Sequence, residues 1–220
     1  MKDVWVISLG GSRIVPDDVD YVFLRKFHKL IDSHKDKRFV VVCGGGSSAR
    51  RYISAFRKLG KSLRDQSEEG IAITRFHAGF MARFFGREAN EVVPRSMKSV
   101  KGLLGKNRVV FCGALRWKDK NTSDGNAAQL AGYLECSFIN LTNVRGLYDR
   151  DPARKGARFI SKISWKDFLK VARKVKYKAG QHFTLEEILK RRIDCYIVGS
   201  LKAMDSVIRG KRFVGTLIRG

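Results

Sequence analysis

Short apolar runs alternate with stretches of helical periodicity along the whole chain, and this alternation restricts the fold more than any other feature. Runs of this kind are typical of strands that helices cover on both faces. The predicted strands are Val4–Leu9, 39–43, Val109–Cys112, 138–141 and Cys195–Val198, with residues 213–218 as a final edge-type strand. The pattern predicts an α/β protein, a three-layer αβα sandwich with a mostly parallel central sheet.

Apolar residues recur at helical spacing between these runs. The predicted helices include residues 21–31, 66–85, 122–134 and 185–192. Ser47 is predicted to be the N-cap of a further helix that extends to Leu59, and Gly86 is predicted to end the helix over 66–85. Residues 95–106 are interpreted as a basic loop or a short helix.

The chain has 220 residues, and its 44% apolar content is enough for the core of a single domain. No stretch reaches the roughly 18 uncharged apolar residues of a membrane helix, and no signal peptide precedes the first strand. We therefore expect no membrane association and a cytoplasmic location. The cysteines lie in or beside apolar runs without a C-x-x-C pair, which indicates reduced, buried thiols. They are Cys43, Cys112, Cys136 and Cys195.

The chain carries a large excess of positive charge. Lys and Arg number 45 against 21 Asp and Glu, which gives a formal net charge of +24. Such an excess attracts polyanions, and nucleic acid, nucleotides and an anionic membrane face are the candidates. A general bias toward basic surface residues explains the charge equally well, so charge alone does not select a partner.

Residues 165–178 concentrate cations around three aromatic residues, Trp165, Phe168 and Tyr177. One interpretation is a surface on which single-stranded nucleic acid stacks. The other is a solvated amphipathic helix whose aromatic side chains face the core. No RNP, KH, helix-turn-helix or zinc-finger signature accompanies the segment.

Glycine or hydroxyl residues follow several of the predicted strands. Gly10, Gly11 and Ser12 follow the first strand, and residues 44–47 (Gly-Gly-Gly-Ser) follow the second. Glycines allow the backbone to approach an anion, and the next helix presents free N–H groups to it. A third cluster, residues 122–124, adds two hydroxyls and the carboxylate of Asp124. Neither a P-loop nor a G-x-G-x-x-G motif is present, so the turns indicate phosphate binding of another type.

Seven motifs follow one another along nearly the whole chain. They are SLGGS (8–12), CGGGSSARRYI (43–53), AITRFHA (72–78), TSDGNAAQLA (122–131), TNVRGLYDRDP (142–152), AGQH (179–182) and GT (215–216). In these motifs and in their order the chain resembles the amino-acid kinase superfamily and, within it, the archaeal-type uridylate (UMP) kinases.

The resemblance implies one αβα domain over residues 1–220 that transfers the γ-phosphoryl group of ATP to UMP with Mg²⁺. The N-terminal half, about residues 1–112, would hold the acceptor nucleotide and the contacts of a dimer or hexamer, chiefly through the helix over 66–85. The C-terminal half, about residues 113–220, would hold ATP.

The resemblance also implies a role for individual residues. Catalytic roles fall on Asp124, Gly11 and Ser12. UMP would be bound by Gly44, Gly45, Arg50, Thr74 and Thr122. ATP would be bound by Gly10, Thr142, Asn143, Gly146, Tyr148, Asp151 and Pro152. No protein ligand is assigned to the metal.

Several positions depart from the family pattern. Ser8 replaces the Lys of the wider superfamily, His77 replaces an Asn, and Arg145 replaces an Asp. After AGQH the chain is about five residues shorter, and the matching place lacks the phosphate-binding Lys and is followed by Glu186. Four nearby cations are candidates to replace it: Arg116, Lys118, Lys120 and Lys190. Two alternatives therefore stay open, a superfamily kinase with another small acceptor and a catalytically weakened protein that binds nucleotide or RNA.

Overall fold

Short strands buried on both faces form the centre of the computed structural model, which describes residues 3–115, 123–174 and 193–219. The described strands form a seven-stranded sheet and a separate two-stranded hairpin, β5–β6. The strands are β1 (Val4–Leu9), β2 (Arg38–Cys43), β3 (Val109–Cys112), β4 (Ser137–Leu141), β5 (Leu147–Tyr148), β6 (Phe159–Ile160), β7 (Lys162–Ser164), β8 (Cys195–Val198) and β9 (Thr216–Arg219).

The large sheet has the strand order β3-β2-β1-β4-β8-β9-β7. Strands β3, β2, β1, β4 and β8 are mutually parallel, β9 runs antiparallel to β8, and β7 is parallel to β9. The mostly parallel α/β sheet is confirmed. The prediction of β9 as an edge strand is wrong, because the three-residue β7 pairs with its free side. A strand this short has too few residues to show a periodicity in the sequence.

The described residues include eight α-helices. They are α1 (Gly11–Ile14), α2 (Tyr21–Asp32), α3 (Gly46–Lys58), α4 (Leu63–Phe85), α5 (Met97–Leu104), α6 (Ser123–Leu134), α7 (Trp165–Lys174) and α8 (Leu201–Ile208). The helical option for residues 95–106 is confirmed by α5, whereas α8 was not predicted. The helix predicted over residues 185–192 lies outside the described residues.

Helix α3 begins two residues earlier than the sequence suggests, and the prediction of Ser47 as its N-cap is wrong, because Gly45 is the N-cap. Gly46 opens the helix with a φ of 60°, a left-handed conformation that glycine adopts without strain. Ser47 instead lies in the first turn, where its hydroxyl donates to the carbonyl oxygens of Val15 and Pro16 at 3.0 and 2.8 Å. At the end of α4, Gly86 is the C-cap, as predicted.

Two apolar clusters, one on each face of the sheet, form the core. Helices α2, α4 and α8 contribute to one cluster, and α5, α6 and α7 contribute to the other. Trp165 and Phe168 of α7 are only 3% and 2% exposed. Their rings face the core, so the interpretation in which they stack on nucleic acid is wrong; Tyr177 lies outside the described residues. All four cysteines are free and buried, as predicted.

The order of the strands creates a crevice at the carboxyl edge of the sheet. From β1 the chain proceeds to β2 and β3 on one side, whereas β4 and β8 lie on the other side. Ligands of open α/β sheets bind at such a switch point, here between the ends of β1 and β4. Within the described ranges, no helix is both long and apolar enough to span a membrane.

Candidate phosphate-binding site

The turn after β1 contacts the turn after β2 directly through the backbone. Gly10 is the N-cap of the one-turn helix α1, which begins at Gly11. A Cβ atom on Gly11 would lie 2.5 Å from the carbonyl oxygen of Gly44 and from the carbonyl carbon of Gly45. Because no side chain fits there, the two glycine turns form one continuous backbone surface.

The start of α6 adjoins the same surface. A Cβ atom on Gly44 would lie 3.2 Å from the hydroxyl of Ser123, the first residue of α6. Helix α3, which has 13 residues, also begins beside this contact at Gly46. The first N–H groups of a helix lack partners within the helix and favour anions, so two helix starts and two glycine turns converge on one place.

Asp124 in the first turn of α6 is held by a residue of β1. The hydroxyl of Ser8, which is fully buried, donates a 2.5 Å hydrogen bond to Oδ1 of Asp124. Burial raises the pKa of the Asp124 carboxyl to about 6, and the hydrogen bond from Ser8 opposes that rise. A carboxylate that titrates near neutral pH inside a crevice is typical of functional sites.

Replacing Ser8 with alanine is expected to shift the acidic limb of the activity profile toward higher pH by about one unit. The loss of the donated hydrogen bond disfavours the ionised carboxylate of Asp124, so its pKa rises further. The measurement is kcat between about pH 5 and 8. Ser8→Thr keeps the hydroxyl and should restore the original limb; an unshifted limb in Ser8→Ala would contradict the role of the hydrogen bond.

His77 of α4 supports the glycine turn rather than lining the crevice. It is 2% exposed, and its Nδ1 lies 2.8 Å from the carbonyl oxygen of Gly44. A carbonyl oxygen only accepts, so Nδ1 carries the proton. His77 is therefore a packed residue that supports the turn.

Thr74, one turn before His77, joins α4 to the end of β3. Its hydroxyl donates to the carbonyl oxygen of Ile71 at 2.7 Å and accepts from the N–H of Ala114 at 2.9 Å. Its side chain is buried, and a Cβ atom on Gly113 would lie 2.6 Å from its hydroxyl. The hydroxyl is thus already engaged within the protein, although it lies next to the strand end.

The loop after β4 forms the other wall of the crevice. Asn143 donates from Nδ2 to the hydroxyl of Ser12 at 3.3 Å, which connects this loop to the first glycine turn. Gly146 packs against Thr216, where a Cβ atom would lie 2.6 Å from the Thr216 hydroxyl. That hydroxyl accepts from the N–H of Leu147 at 2.8 Å.

Further along the same loop, aromatic rings and turn contacts order the segment of the predicted ATP motif. Tyr148 packs edge-on against Phe159, and the Arg145 guanidinium lies 4.6 Å from the centre of the Phe159 ring. Asp151 accepts at Oδ1 from the N–H of Ala153 at 3.0 Å, next to Pro152. Arg145 itself is exposed, so its positive charge lies at the solvent side of this wall.

Arg50 lies on the exposed face of α3 and lines a surface cavity of about 520 Å³. Arg51 and Lys58 line the same cavity, and Ser47, Ser54 and Ala55 complete it. Three cations from one helix give this cavity a positive potential that suits a phosphate. Arg51 also approaches the carboxylate of Asp17 at 3.9 Å, at an exposed position.

Sequence reasoning did not predict the contacts of two residues near the crevice, Ser8 and Arg13. It noted Ser8 as a departure without predicting its bond to Asp124, and it assigned no role to Arg13. The Arg at position 13, directly after a glycine turn, was the signal available for the second. Several residues singled out in the sequence lie outside the described residues. They are Thr122, Arg116, Lys118, Lys120, Glu186, Lys190 and the AGQH motif.

A parallel αβα sheet with two glycine turns at its switch point defines a phosphate-binding α/β protein. The sequence profile of the amino acid kinase family matches residues 59–199. The chain belongs to the amino acid kinase family.

The chain is also similar to individual relatives over its full length. It is 33% identical to the uridylate kinase of Thermoplasma volcanium, covering 99% of this chain and 98% of the relative. It is 30% identical to the uridylate kinase of Methanopyrus kandleri, covering 98% and 99%. The crystal structure of the uridylate kinase from Archaeoglobus fulgidus superposes with a TM-score of 0.86 at 30% identity, covering 97% of this chain and 99% of that one.

Proposed function

We propose that this protein is a uridylate kinase that transfers the γ-phosphoryl group of ATP to UMP. The observation that carries the proposal is the convergence of two glycine turns and Asp124 at one crevice of a chain that is similar throughout to uridylate kinases. A phosphate oxygen of UMP bonds to the γ-phosphorus while the bond to the β,γ-bridging oxygen breaks. The bridging oxygen keeps the electron pair, so the products are UDP and ADP.

Each wall of the crevice receives one nucleotide in this proposal. The N-terminal half binds UMP through Gly44, Gly45, Arg50, Thr74 and Thr122. The C-terminal half binds ATP through Gly10, Thr142, Asn143, Gly146, Tyr148, Asp151 and Pro152. Gly11 and Ser12 lie along the phosphate that moves, because they belong to the turn that touches both walls.

Asp124 organises the site, and its surroundings fit the Mg²⁺ ion that accompanies ATP. The described residues contain no group of three or more metal-ligating side chains. Mg²⁺ needs no such group, because it usually binds one or two carboxylates together with phosphate oxygens and water. Asp124 would hold the ion near the phosphates, and the bound ion would neutralise their charge. The Ser8 hydroxyl keeps the carboxylate oriented.

The proposal is tested by the release of ADP from ATP with UMP, CMP, AMP and small carboxylates as separate acceptors. We expect acceptor-dependent release that is fastest with UMP. Release with a different acceptor only would assign the protein to another branch of the family. ATP binding without release by any acceptor would instead favour the nucleotide-binding alternative.

Replacing Arg50 with methionine is expected to raise the KM for UMP by roughly 10- to 100-fold, with a smaller effect on the KM for ATP. The guanidinium is lost from the cavity on α3. Steady-state kinetics with each substrate varied in turn measures the change. Arg57→Met is the matched control, since Arg57 is an exposed cation on the same helix that does not line the cavity. Equal effects of both variants would contradict a specific role for Arg50.

The proposal extends to assembly and location. A dimer or hexamer would form through the N-terminal half, and α4 offers the exposed ring of Phe76, which is 65% exposed. The enzyme would act in the cytoplasm, where nucleoside monophosphates are phosphorylated. Light scattering of the purified protein measures the oligomeric state.

A further inference from the structure

Arg13 is a cation that the fold places between the ends of two strands. Its Nη2 donates to the carbonyl oxygen of Thr142 at 2.7 Å and to that of Gly199 at 2.8 Å. Thr142 is the first residue after β4, and Gly199 is the first residue after β8. One guanidinium group therefore spans the carboxyl ends of both strands on the ATP side of the crevice.

The other donors of this guanidinium have no partner among the described residues. Nε of Arg13 is buried without a hydrogen bond. Nη1 also lacks a hydrogen bond, although the side chain is only partly buried. Nη1 is not among the buried atoms, so a ligand with acceptor oxygens would gain a charge-assisted hydrogen bond there.

The charge of Arg13 is not neutralised by a close carboxylate. Within the described part of the chain Arg13 makes no ion pair, and Phe23 lies under it with its ring centre at 5.6 Å. Burial lowers the pKa of Arg13, with a smaller opposing effect from Asp20. A guanidinium remains protonated in proteins at all working pH values, so its positive charge is available to an anion.

The neighbours of Arg13 belong to both walls of the crevice. Ser12, the preceding residue, accepts a hydrogen bond from Asn143, the residue after Thr142. A phosphate lying along the turn of residues 10–12 would thus be close to the guanidinium. Phosphoryl transfer depends on positive charge around the moving group more than on covalent chemistry.

We propose that Arg13 binds phosphate oxygens of ATP while it holds the ends of β4 and β8 together. The two carbonyl bonds from Nη2 fix the guanidinium, and Nη1 donates to the triphosphate. This inference rests on the proposed function, because it assumes that the C-terminal half binds ATP.

The experiment compares the affinities of adenosine, ADP and ATP for Arg13→Met, Arg13→Lys and the unmodified protein, by calorimetry without an acceptor. We expect Arg13→Met to bind adenosine within about twofold of the unmodified protein and to lose roughly 10- to 100-fold in affinity for ATP. Arg13→Lys should keep part of the preference for ATP, because its ammonium is charged but lacks the planar fork. The Arg25→Met variant removes an exposed cation of α2 and should leave all three affinities unchanged.

The outcomes separate a phosphate-binding role from a purely structural one. An equal loss of affinity for adenosine and ATP, or no loss of either, would overturn the proposal. If the thermal transition of Arg13→Met shows that this variant is unfolded, the test uses the ratio of ATP affinity to adenosine affinity in Arg13→Lys. A ratio equal to that of the unmodified protein overturns the proposal. Failure of the proposed function is a different result, the absence of UMP-dependent ADP release by the unmodified protein.

Discussion

Replacing Gly11 with alanine is expected to lower kcat by at least about a hundredfold and to destabilise the protein by about 1–3 kcal/mol. The new Cβ atom would lie 2.5 Å from the carbonyl oxygen of Gly44 and closest of all to the N–H of Gly46. These are backbone atoms, so no side-chain rotation relieves the overlap and the two glycine turns must separate. Phosphoryl transfer depends on positioning, and a displacement of about 1 Å suffices to slow it.

The matched control for this variant is Gly102→Ala in α5. Gly102 is exposed, and a Cβ atom added there would have no atom within 4 Å other than those of its chain neighbours and the nearby backbone of its own helix. Alanine at this position should leave kcat unchanged and add about 0.5–1 kcal/mol of stability, because alanine favours the helix. Kinetics and urea denaturation of both variants provide the measurement. A Gly11→Ala enzyme with normal kcat would show that the contact between the turns is dispensable.

Replacing Asp124 with asparagine is expected to change activity and stability in opposite directions. We expect kcat to fall by roughly 100- to 1000-fold, because the only charge that α6 places in its first turn is removed. Without nucleotide and Mg²⁺, the free energy of unfolding at pH 7 should rise by about 1–3 kcal/mol. Asparagine keeps an oxygen that accepts the hydrogen bond from Ser8, so the packing around it is retained.

The stability gain follows from the direction of the pKa shift. The folded pKa of Asp124 is about 6, above its unfolded value. Below the unfolded pKa the carboxyl is protonated in both states and costs nothing. As the pH rises from there through 6, the Asp124 carboxyl of the folded state loses the proton that burial favours, so the free energy of unfolding falls. Above pH 6 this loss of stability is complete. The difference between Asp124→Asn and the unmodified protein should therefore be small at about pH 4, vanish only below the unfolded pKa, and grow toward pH 7.

Asp205 of α8 offers a control of opposite sign. Burial raises the pKa of its carboxyl, but hydrogen bonds from Arg209 and His34 outweigh burial, so the pKa is lowered overall. Its ionised form therefore stabilises the fold above its unfolded pKa, and this contribution is lost as the pH falls through the folded pKa. Asp205→Asn should destabilise the protein at pH 7. Denaturation curves from about pH 4 to 8 compare the two variants, and a destabilised Asp124→Asn would contradict the burial cost.

The large net charge is only partly explained by the site. Three cations lie near the crevice or on α3, where they can contact a phosphate: Arg13, Arg50 and Arg145. The aromatic residues that suggested nucleic-acid stacking, Trp165 and Phe168, are core residues of α7. Within the described residues, α7 therefore gives no support to nucleic-acid stacking, and the excess positive charge attracts anions in general.

The sequence alone predicted the main strands and the glycine turns. A strand covered on both faces must be apolar along its length, and this leaves a continuous run in the sequence, as in β2 and β3. A place where two backbones touch admits only glycine, so Gly11 and Gly44 are visible without coordinates. The order of motifs then sufficed to predict the family to which the chain belongs.

Only the tertiary structure decided which side chains meet. Ser8 and Asp124 are 116 positions apart, and Arg13 and Gly199 are 186 positions apart. The position of β9 inside the sheet likewise depends on pairing with β7, a strand of three residues. Local patterns report which residues are buried and where the backbone turns, because burial and turns act on neighbouring residues. Hydrogen bonds between distant strand ends depend on strand order and register, which the sequence does not display locally.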